Sequence, residues 1–170
     1  MLADDLRTLQ APLKDRYRTD ATAAEVTLSA SGTLDEGISC SVKTGQAIAA
    51  AGLHPASGGD GSLLCSGDML LEALVACAGV TLRAVATSLR LDVAGTVHAE
   101  GDLDFRGTLG VDKQAPVGFR DIRLTFDLTT DADADQLASL IKLTERYCVV
   151  LQTLRQSPAT SVHVTAGTAE

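Results

Sequence analysis

Two of the four cysteines in the chain lie where thiol chemistry could take place. Cys77 lies inside the long apolar run "SGDMLLEALVACAGVTLRAVATSLRL", and Cys148 lies in "ERYCVVLQTL", far away along the chain. Two thiols that a fold brings together can cycle between a dithiol and a disulfide. Free cysteine is also a common buried packing residue, and most such residues are inert. Residue types alone therefore leave both interpretations open.

The two thiols differ in their predicted surroundings. The thiolate is the reactive form of cysteine, so whatever lowers the thiol pKa favours reaction. Cys77 lies about two and a half turns inside a predicted helix, too deep for the dipole of that helix to act on it. Its activation would need a neighbouring cation, most naturally an arginine. Cys148 lies near the N-cap of a predicted short helix, where a thiolate could be favoured directly. These positions do not decide which thiol attacks and which resolves.

The composition narrows the class of protein. A chain of 170 residues with 45% hydrophobic and 21% charged residues is typical of one soluble globular domain. A net charge of −8, with no Trp and few other aromatic residues, argues against nucleic acid as a partner. The chain lacks C-x-x-C, and its histidines are not at metal-ligand spacing, so we predict no metal and no cofactor. Charged residues interrupt the longest apolar run, and the N-terminus lacks a signal-peptide layout. We therefore predict a cytoplasmic protein without a membrane span.

Three segments before the central helix have patterns that predict secondary structure. Leucine spacing over residues 2–18 predicts an amphipathic helix, and residues 23–45 predict a hairpin that turns at "TLDEG", where Gly37 suits a positive φ. Residues 47–51 fit a helix, and an extended loop follows. Ser66 is then the predicted N-cap of a helix that reaches about Leu89. That helix is apolar nearly all round, which predicts central packing.

The second half of the chain is predicted to contain strands and helices without an alternating βαβ repeat. Residues 92–105 read as a strand with a glycine break, and residues 119–130 as a strand with one apolar and one polar face. A helix is predicted over residues 131–147, a short helical turn over 149–156, and a closing strand over 160–166. This order predicts an α+β fold in a single domain over residues 1–170, with residues 1–20 as an N-terminal helical extension.

Two segments resemble motifs of the OsmC/Ohr family (osmotically inducible and organic hydroperoxide resistance proteins). "SGDMLLEALVACAGVTL" is similar to the family's central-helix motif, an acidic residue and an apolar stretch before a cysteine. "ERYCVVLQTL" followed by "PATSVHV" is similar to its second motif, a cysteine commonly followed by Pro-Val and a closing strand. The order of elements agrees from about residue 24 to residue 166. The resemblance implies two antiparallel sheets that enclose long central helices, in an intertwined homodimer with thiol sites at the subunit interface.

The resemblance also implies an activity, the thiol-dependent reduction of organic hydroperoxides. Cys77 would be the attacking thiolate, and Cys148 would condense with its sulfenic acid to form a disulfide. An external dithiol, lipoyl or similar, would reduce that disulfide, and an apolar pocket around the pair would favour fatty or aromatic hydroperoxides. Two alternatives keep the same fold. One is a non-catalytic dimer that binds a small molecule or lipid, and the other is a redox sensor.

Asp68 takes the place of the family's glutamate, which orients an arginine against the attacking thiol. Between Asp68 and Cys77 a helix rises about 13 Å and rotates by about half a turn beyond full turns, so their side chains point to opposite faces. Asp68 would therefore serve Cys77 of the other subunit, or only complement the dipole of its own helix.

The sequence departs from the family pattern at two places, the arginine of the first hairpin turn and the proline of the second motif. The family's arginine lies in the first hairpin turn, but here that turn is "TLDEG". Arg16, Arg18 and Arg146 are the candidates to replace it. Val149 occupies the position of the motif's proline. Residues with a lesser or no predicted role are Cys65 (a third redox partner or a loop thiol without a role), Glu72 (structural or interfacial), and His54, His98 and His163 (no chemistry).

Overall fold

The computed structural model describes residues 2–5, 7–8, 10–11, 19, 31–34, 39–43, 48–110 and 112–166. Its strands form two sheets. In chain order the elements are β1 (Ser31–Leu34), β2 (Ser39–Lys43), β3 (Ile48–Gly52), a 3-10 turn (Pro55–Ser57), β4 (Leu64–Cys65), α1 (Ser66–Leu89), β5 (Val93–Asp102), α2 (Phe105–Thr108), β6 (Asp121–Thr130), α3 (Ala134–Tyr147) and α4 (Val149–Arg155). The predicted α+β class is confirmed.

The N-terminal sheet has the order β1-β2-β3-β4. The antiparallel pairing of β1 with β2, with Leu34 opposite Cys40, confirms the hairpin. Its turn, including Gly37, and residues 23–30 lie outside the described residues. The helix predicted at residues 47–51 is wrong, because Ile48–Gly52 is a strand that pairs with β2. A five-residue segment is too short for a stable helix, so strand pairing overrides the helix propensity of its alanines.

The N-terminal extension is described in part. Residues 3–5, 7–8 and 10–11 are helical, as the leucine spacing predicts, and the rest of the segment lies outside the described residues. Asp4 forms an ion pair with Arg90, at the end of α1, over 3.2 Å. The extension is thereby tied to the end of the central helix.

The central helix α1 has the predicted length but not the predicted cap. Cys65, with φ −83° and ψ 130°, is the N-cap, and Ser66 is the first helical residue. At the other end Arg90 adopts φ 59°, and the Leu91 amide donates to the Ala86 carbonyl over 2.9 Å. This six-to-one bond is the one that closes a Schellman motif, which satisfies a carbonyl left free at the helix end.

Burial of α1 follows one stripe at four-residue spacing: Leu74, Ala78, Leu82 and Ala86. Val80 on another face is 72% exposed. The predicted central packing is therefore present along this stripe, while the apolar circumference of α1 exceeds what a single chain covers. By length and composition alone α1 could also cross a membrane. Its buried stripe, however, packs against β5, α3 and α4, as in the core helix of a folded domain.

The second sheet is a long two-stranded antiparallel ladder. β5 and β6 pair without interruption from Val93 opposite Thr130 to Asp102 opposite Asp121. The predicted glycine break in β5 is absent, because Gly95 stays in the ladder at φ +138°. A Cβ atom there would lie 2.0 Å from the Asp127 carbonyl oxygen, so glycine is required for this close approach. The predicted alternation of β6 is confirmed, since its residues alternate between exposed and half-buried along the whole strand.

Two apolar clusters lie side by side under this sheet. One contains Leu82 and Leu140 and joins α1 to α3. The other contains Leu74, Ala78 and Cys148 and joins α1 to the junction of α3 and α4. Phe126 of β6 packs against both clusters, so the sheet joins them into one continuous core along α1. The predicted inner stripe of α3 is confirmed, since its members Leu137, Leu140, Ile141 and Thr144 are buried or packed on the core.

The predicted closing strand at residues 160–166 is wrong for the described chain. The segment is not in a strand, and its two valines, Val162 and Val164, are 89% and 86% exposed. The alternation of valine with polar residues is real, but a strand also needs a neighbouring strand to bond its backbone. In the described part of this chain no strand pairs with residues 160–166.

Candidate functional site

The fold brings Cys77 and Cys148 together. Cys148 is completely buried at the junction of α3 and α4, in one cluster with Leu74 and Ala78 of α1. Cys77 of α1 is half-buried and packs against this cluster. Both thiols are free, and each acts on the pKa of the other. The predicted pair is thus one partly accessible thiol beside one inaccessible thiol.

Cys148 lies at the break between α3 and α4, and this break determines its backbone conformation and hydrogen bonds. The Cys148 amide donates to the Thr144 carbonyl over 3.0 Å and makes the last helical bond of α3. Cys148 itself is extended, with φ −71° and ψ 105°, and its carbonyl accepts from the Gln152 amide over 2.9 Å. The Gln152 side chain donates to the Glu145 carbonyl over 2.8 Å. The first amides of α4 are therefore left without carbonyl partners in a helix of their own.

Two of these amides, those of Val149 and Val150, act on the pKa of Cys77. Partial burial disfavours the Cys77 thiolate, but hydrogen bonds from the Val150 amide, from Cys148, from the Val149 amide and from the Thr81 side chain favour it. The hydrogen bonds outweigh the burial, so the pKa of Cys77 is lowered from its ordinary value. Every one of these groups is uncharged.

The pKa of Cys148 shifts in the opposite direction. Burial raises the pKa of the Cys148 thiol, the Leu151 amide lowers it in part, and the neighbouring Cys77 raises it again, with a small lowering by the Val150 amide. The N-cap position predicted for Cys148 is confirmed, but the thiolate expected there is not favoured, because the side chain is fully buried. The pair therefore has one acidic and one weakly acidic thiol.

The remaining predicted site residues that the structure describes, Asp68 and Arg146, are not at this thiol pair. Asp68 is exposed in the first turn of α1 and lines a groove with Leu71, Glu72 and Val75, so it lies on another face from Cys77, as predicted. Arg146 is exposed, and its guanidinium lies 5.7 Å from the centre of the Tyr147 ring. Arg16 and Arg18 lie outside the described residues.

A cavity of about 500 Å³ with a mixed apolar and charged lining lies beside the cysteine pair. It shares Leu74, Leu151 and Leu154 with the cluster around Cys148, and the inner side chains of β6 form another wall. Neither thiol lines this cavity, so the pocket expected around the pair is displaced by one layer of side chains. Arg120 and Arg155 contribute the positive charge of its lining, and Glu145 bonds to Arg155 over 2.9 Å.

Cys65 belongs to neither of the two apolar clusters. Cys65 caps α1, and its sulfur lies against Gly67 in the neighbourhood of Phe119 and Leu103. It is half-buried and free. Within the described ranges no three His, Cys, Asp or Glu side chains form a group that could hold a metal ion.

Sequence reasoning missed the uncharged donors around Cys77. Thr81 follows Cys77 by four residues on a predicted helix, so its place on the same face could have been read from the sequence. The Val149 and Val150 amides could not, since the meeting of α4 with α1 depends on tertiary packing.

The fold and the thiol pair define a small α+β protein with two neighbouring cysteines whose pKa values shift in opposite directions. A family model described as OsmC-like protein matches residues 59–163, more than half of the chain and both cysteine motifs. The chain therefore belongs to the OsmC-like family, as its resemblance indicated. No curated protein sequence matches it.

Several solved structures share this fold. The chain is similar to an OsmC-like protein from Mycoplasma pneumoniae, with a TM-score of 0.66, 17% identity, and coverage of 78% of this chain and 90% of that one. It is also similar to an OsmC-like protein of unknown function from Vibrio cholerae, with a TM-score of 0.58, 14% identity, and coverage of 76% and 94%. For the organic hydroperoxide resistance protein OhrB of Bacillus subtilis the TM-score is 0.52, the identity 16%, and the coverage 78% and 93%. At these identities the likeness establishes the fold alone.

Proposed function

We propose that this protein is a thiol-dependent peroxidase that reduces organic hydroperoxides through Cys77 and Cys148. The observation that carries the proposal is the pairing of a partly accessible thiol whose pKa is lowered with a buried neighbour whose pKa is raised. The first has the properties of an attacking thiolate, and the second those of a resolving thiol kept protonated until it is needed. Family membership supports the same chemistry.

The proposed cycle has three steps. The Cys77 thiolate attacks the terminal oxygen of ROOH, the O–O bond breaks, and the alkoxide takes a proton to leave as ROH, so sulfur is oxidised to a sulfenic acid. Cys148 then attacks Cys77, the S–S bond forms, and the sulfenic oxygen leaves as water with the Cys148 proton. An external dithiol reduces the disulfide by exchange and leaves as its own disulfide.

We also propose that the active form is a homodimer. The open side of α1 exposes Val80, and the valines at 162 and 164 alternate with polar residues without a strand partner in the described chain. Exposed apolar surface of this kind marks protein contacts in soluble proteins. A second copy would cover α1 and bring the Asp68 groove of one subunit toward the thiol pair of the other.

The test is single-turnover consumption of cumene hydroperoxide by the pre-reduced protein, without added reductant. Wild type should consume a stoichiometric amount and form the Cys77–Cys148 disulfide. Cys148→Ser should also consume the peroxide, but retain a sulfenic acid that dimedone traps. Cys77→Ser should consume none, and Cys65→Ser is the matched control that should behave as wild type. Consumption that survives Cys77→Ser would overturn the proposal.

A ligand-binding function is the second candidate, favoured by the cavity of about 500 Å³ beside the pair. Its lining combines apolar side chains with two arginines and two acids, a mixture that suits a largely apolar molecule with a polar group. A wild-type protein that consumes no hydroperoxide but carries a bound apolar molecule in native mass spectra would favour this function over the peroxidase.

A further inference from the structure

The two cysteines differ in how easily a molecule from solution can reach them. Cys148 has 0% of its surface exposed and lies inside the apolar cluster that contains Leu74 and Ala78. Cys77 packs against the same cluster from α1 but is only half-buried. A second subunit could only add cover, so Cys148 is inaccessible in the monomer and in a homodimer alike. A reagent from solution therefore meets Cys77 first.

Reduction of a disulfide by a thiol has a defined geometry. The attacking thiolate approaches one sulfur roughly along the line of the S–S bond, from the side opposite the sulfur that leaves. To attack Cys148, a reductant would have to lie on the side of its sulfur that is opposite Cys77. Because no part of Cys148 is exposed, protein fills that position. Cys77 has an exposed side from which an approach can be made.

We propose that external thiols attack the disulfide at the sulfur of Cys77, and that Cys148 is the leaving thiolate. The inference rests on the proposed function, in which these two cysteines form the disulfide. The first thiolate of a dithiol forms an S–S bond with Cys77 while the Cys77–Cys148 bond breaks, and Cys148 takes up a proton. The second thiol loses its proton and attacks the sulfur of the first. This step closes the disulfide of the reductant and releases the Cys77 thiolate, so two electrons pass from the dithiol to the protein.

The acidity of the two thiols alone would favour attack at the other sulfur. The more acidic thiol is the better leaving group, and the pKa of Cys77 is lowered while that of Cys148 is raised. This effect is less than about tenfold for each pKa unit. Uncovering Cys148 requires the displacement of several apolar side chains, and each one lowers the accessible population by roughly tenfold or more. Access therefore outweighs acidity in the choice of sulfur.

The cavity beside the pair offers a way to change the access to Cys148. Leu74, Leu151 and Leu154 line this cavity of about 500 Å³ and also belong to the cluster around the buried thiol. Leu151 is only half-buried, so Leu151→Ala thins the wall with a smaller loss of burial than truncation of Leu74. Leu137 of α3 is also half-buried, but it packs against the other cluster and does not line the cavity. Leu137→Ala is therefore the matched control.

The experiment identifies the sulfur that a monothiol attacks. Diamide is used to form the Cys77–Cys148 disulfide in the full-length protein, the other thiols are blocked with N-ethylmaleimide, and glutathione is added. Samples are stopped in acid at several early times, labelled with deuterated N-ethylmaleimide and digested. Mass spectrometry shows which cysteine peptide carries glutathione and which carries the deuterated label. Circular dichroism confirms that each variant is folded.

In wild type we expect glutathione on Cys77 and the deuterated label on Cys148, with the reverse product at least about tenfold less abundant. Leu151→Ala should raise the share of glutathione on Cys148, and Leu137→Ala should keep the wild-type share. As much glutathione on Cys148 as on Cys77 in wild type would overturn the inference. Equal shares in the two leucine variants would overturn burial as its cause. Should Leu151→Ala fail to fold, the wild-type ratio decides alone.

The oxidation step uses no hydroperoxide, so this inference and the proposed function fail separately. Glutathione on Cys77 in a protein that never consumes cumene hydroperoxide would remove only the peroxidase function. Glutathione on Cys148 in a protein that does consume it would remove only the inference.

Discussion

Cys77 packs against the apolar cluster that contains Cys148, and the pKa values of the two thiols shift in opposite directions. The asymmetry arises from depth, because Cys148 is fully buried while Cys77 reaches amide and hydroxyl donors at a partly open position. Residue types and motif order could not produce this distinction. It assigns each cysteine a chemical property that can be measured before any substrate is known.

The first prediction concerns the order in which the two thiols ionise. A lowered pKa means that the Cys77 thiolate forms at lower pH than an ordinary cysteine, and a raised pKa means that Cys148 stays protonated to higher pH. As pH rises, iodoacetamide should label Cys77 first and Cys148 last. The rate of reaction with hydroperoxide should rise along the Cys77 curve and then level off. Peptide mass spectrometry of the reduced protein over a pH series measures both, and earlier labelling of Cys148 would contradict the assignment.

The second prediction concerns the helix that carries Cys148 to its place. Asp133 accepts from the Gln136 amide over 2.8 Å, and the Gln136 side chain accepts from the Asp133 amide over 3.0 Å, which forms a capping box at the start of α3. Asp133→Ala removes the cap and should lower the free energy of unfolding by about 1 kcal/mol. The melting temperature should fall by about 2–4 °C. Asp133→Asn can keep the cap and should lose less, and exposed Asp131→Ala should lose nothing. Equal melting temperatures for Asp133→Ala and Asp131→Ala would contradict the role of the cap.

Most of the fold near the site follows from local patterns. The length of α1, the alternation of β6 and the inner stripe of α3 could be predicted, because each is a periodic apolar pattern repeated over many residues. The errors lie where a distant partner decides the local structure. Ile48–Gly52 is a strand because β2 pairs with it, and residues 160–166 are not a strand in the described chain because no neighbour pairs with them.

The candidate site also contains residues that the sequence could indicate and residues that only the tertiary structure gives. Cys77 and Cys148 could be selected because each falls in a motif of the resembled family. Thr81 could have been found from its four-residue spacing on α1. The amides of Val149 and Val150 carry no sequence signal at all, since every residue except proline has an amide hydrogen. Their role depends on the packing of α4 against α1, which only the tertiary structure gives.

The third prediction concerns the oligomeric state. Val80 is 72% exposed on an apolar helix, and we expect a second copy to cover it. A charge placed there would be buried without a partner, so Val80→Asp should shift the protein from dimer to monomer in sedimentation experiments. Val117 is 65% exposed in the loop before β6, and Val117→Asp is the control that should remain dimeric. A Val80→Asp protein that sediments as wild type would contradict the proposed interface.

The fourth prediction concerns Asp68, which lies on a different face of α1 from Cys77 of its own chain. If Asp68 serves the thiol of the other subunit, Asp68→Asn should slow the reaction of the homodimer with hydroperoxide. Mixed dimers can then distinguish action within one chain from action between chains. One subunit carries Asp68→Asn and the other carries Cys77→Ser, and two different affinity tags allow the mixed dimer to be isolated.

In this mixed dimer the intact Cys77 faces the intact Asp68 of its neighbour. Action between subunits therefore predicts about half of the wild-type single-turnover consumption, since one of the two sites is complete. Action within one chain predicts only the slow rate of Asp68→Asn, because the intact Cys77 then shares its chain with the substituted residue. Glu72→Gln, which changes another acid of the same groove, is the matched control and should react at the wild-type rate. An Asp68→Asn homodimer that also reacts at that rate would limit Asp68 to complementing the dipole of α1, a role that its position in the first turn already allows.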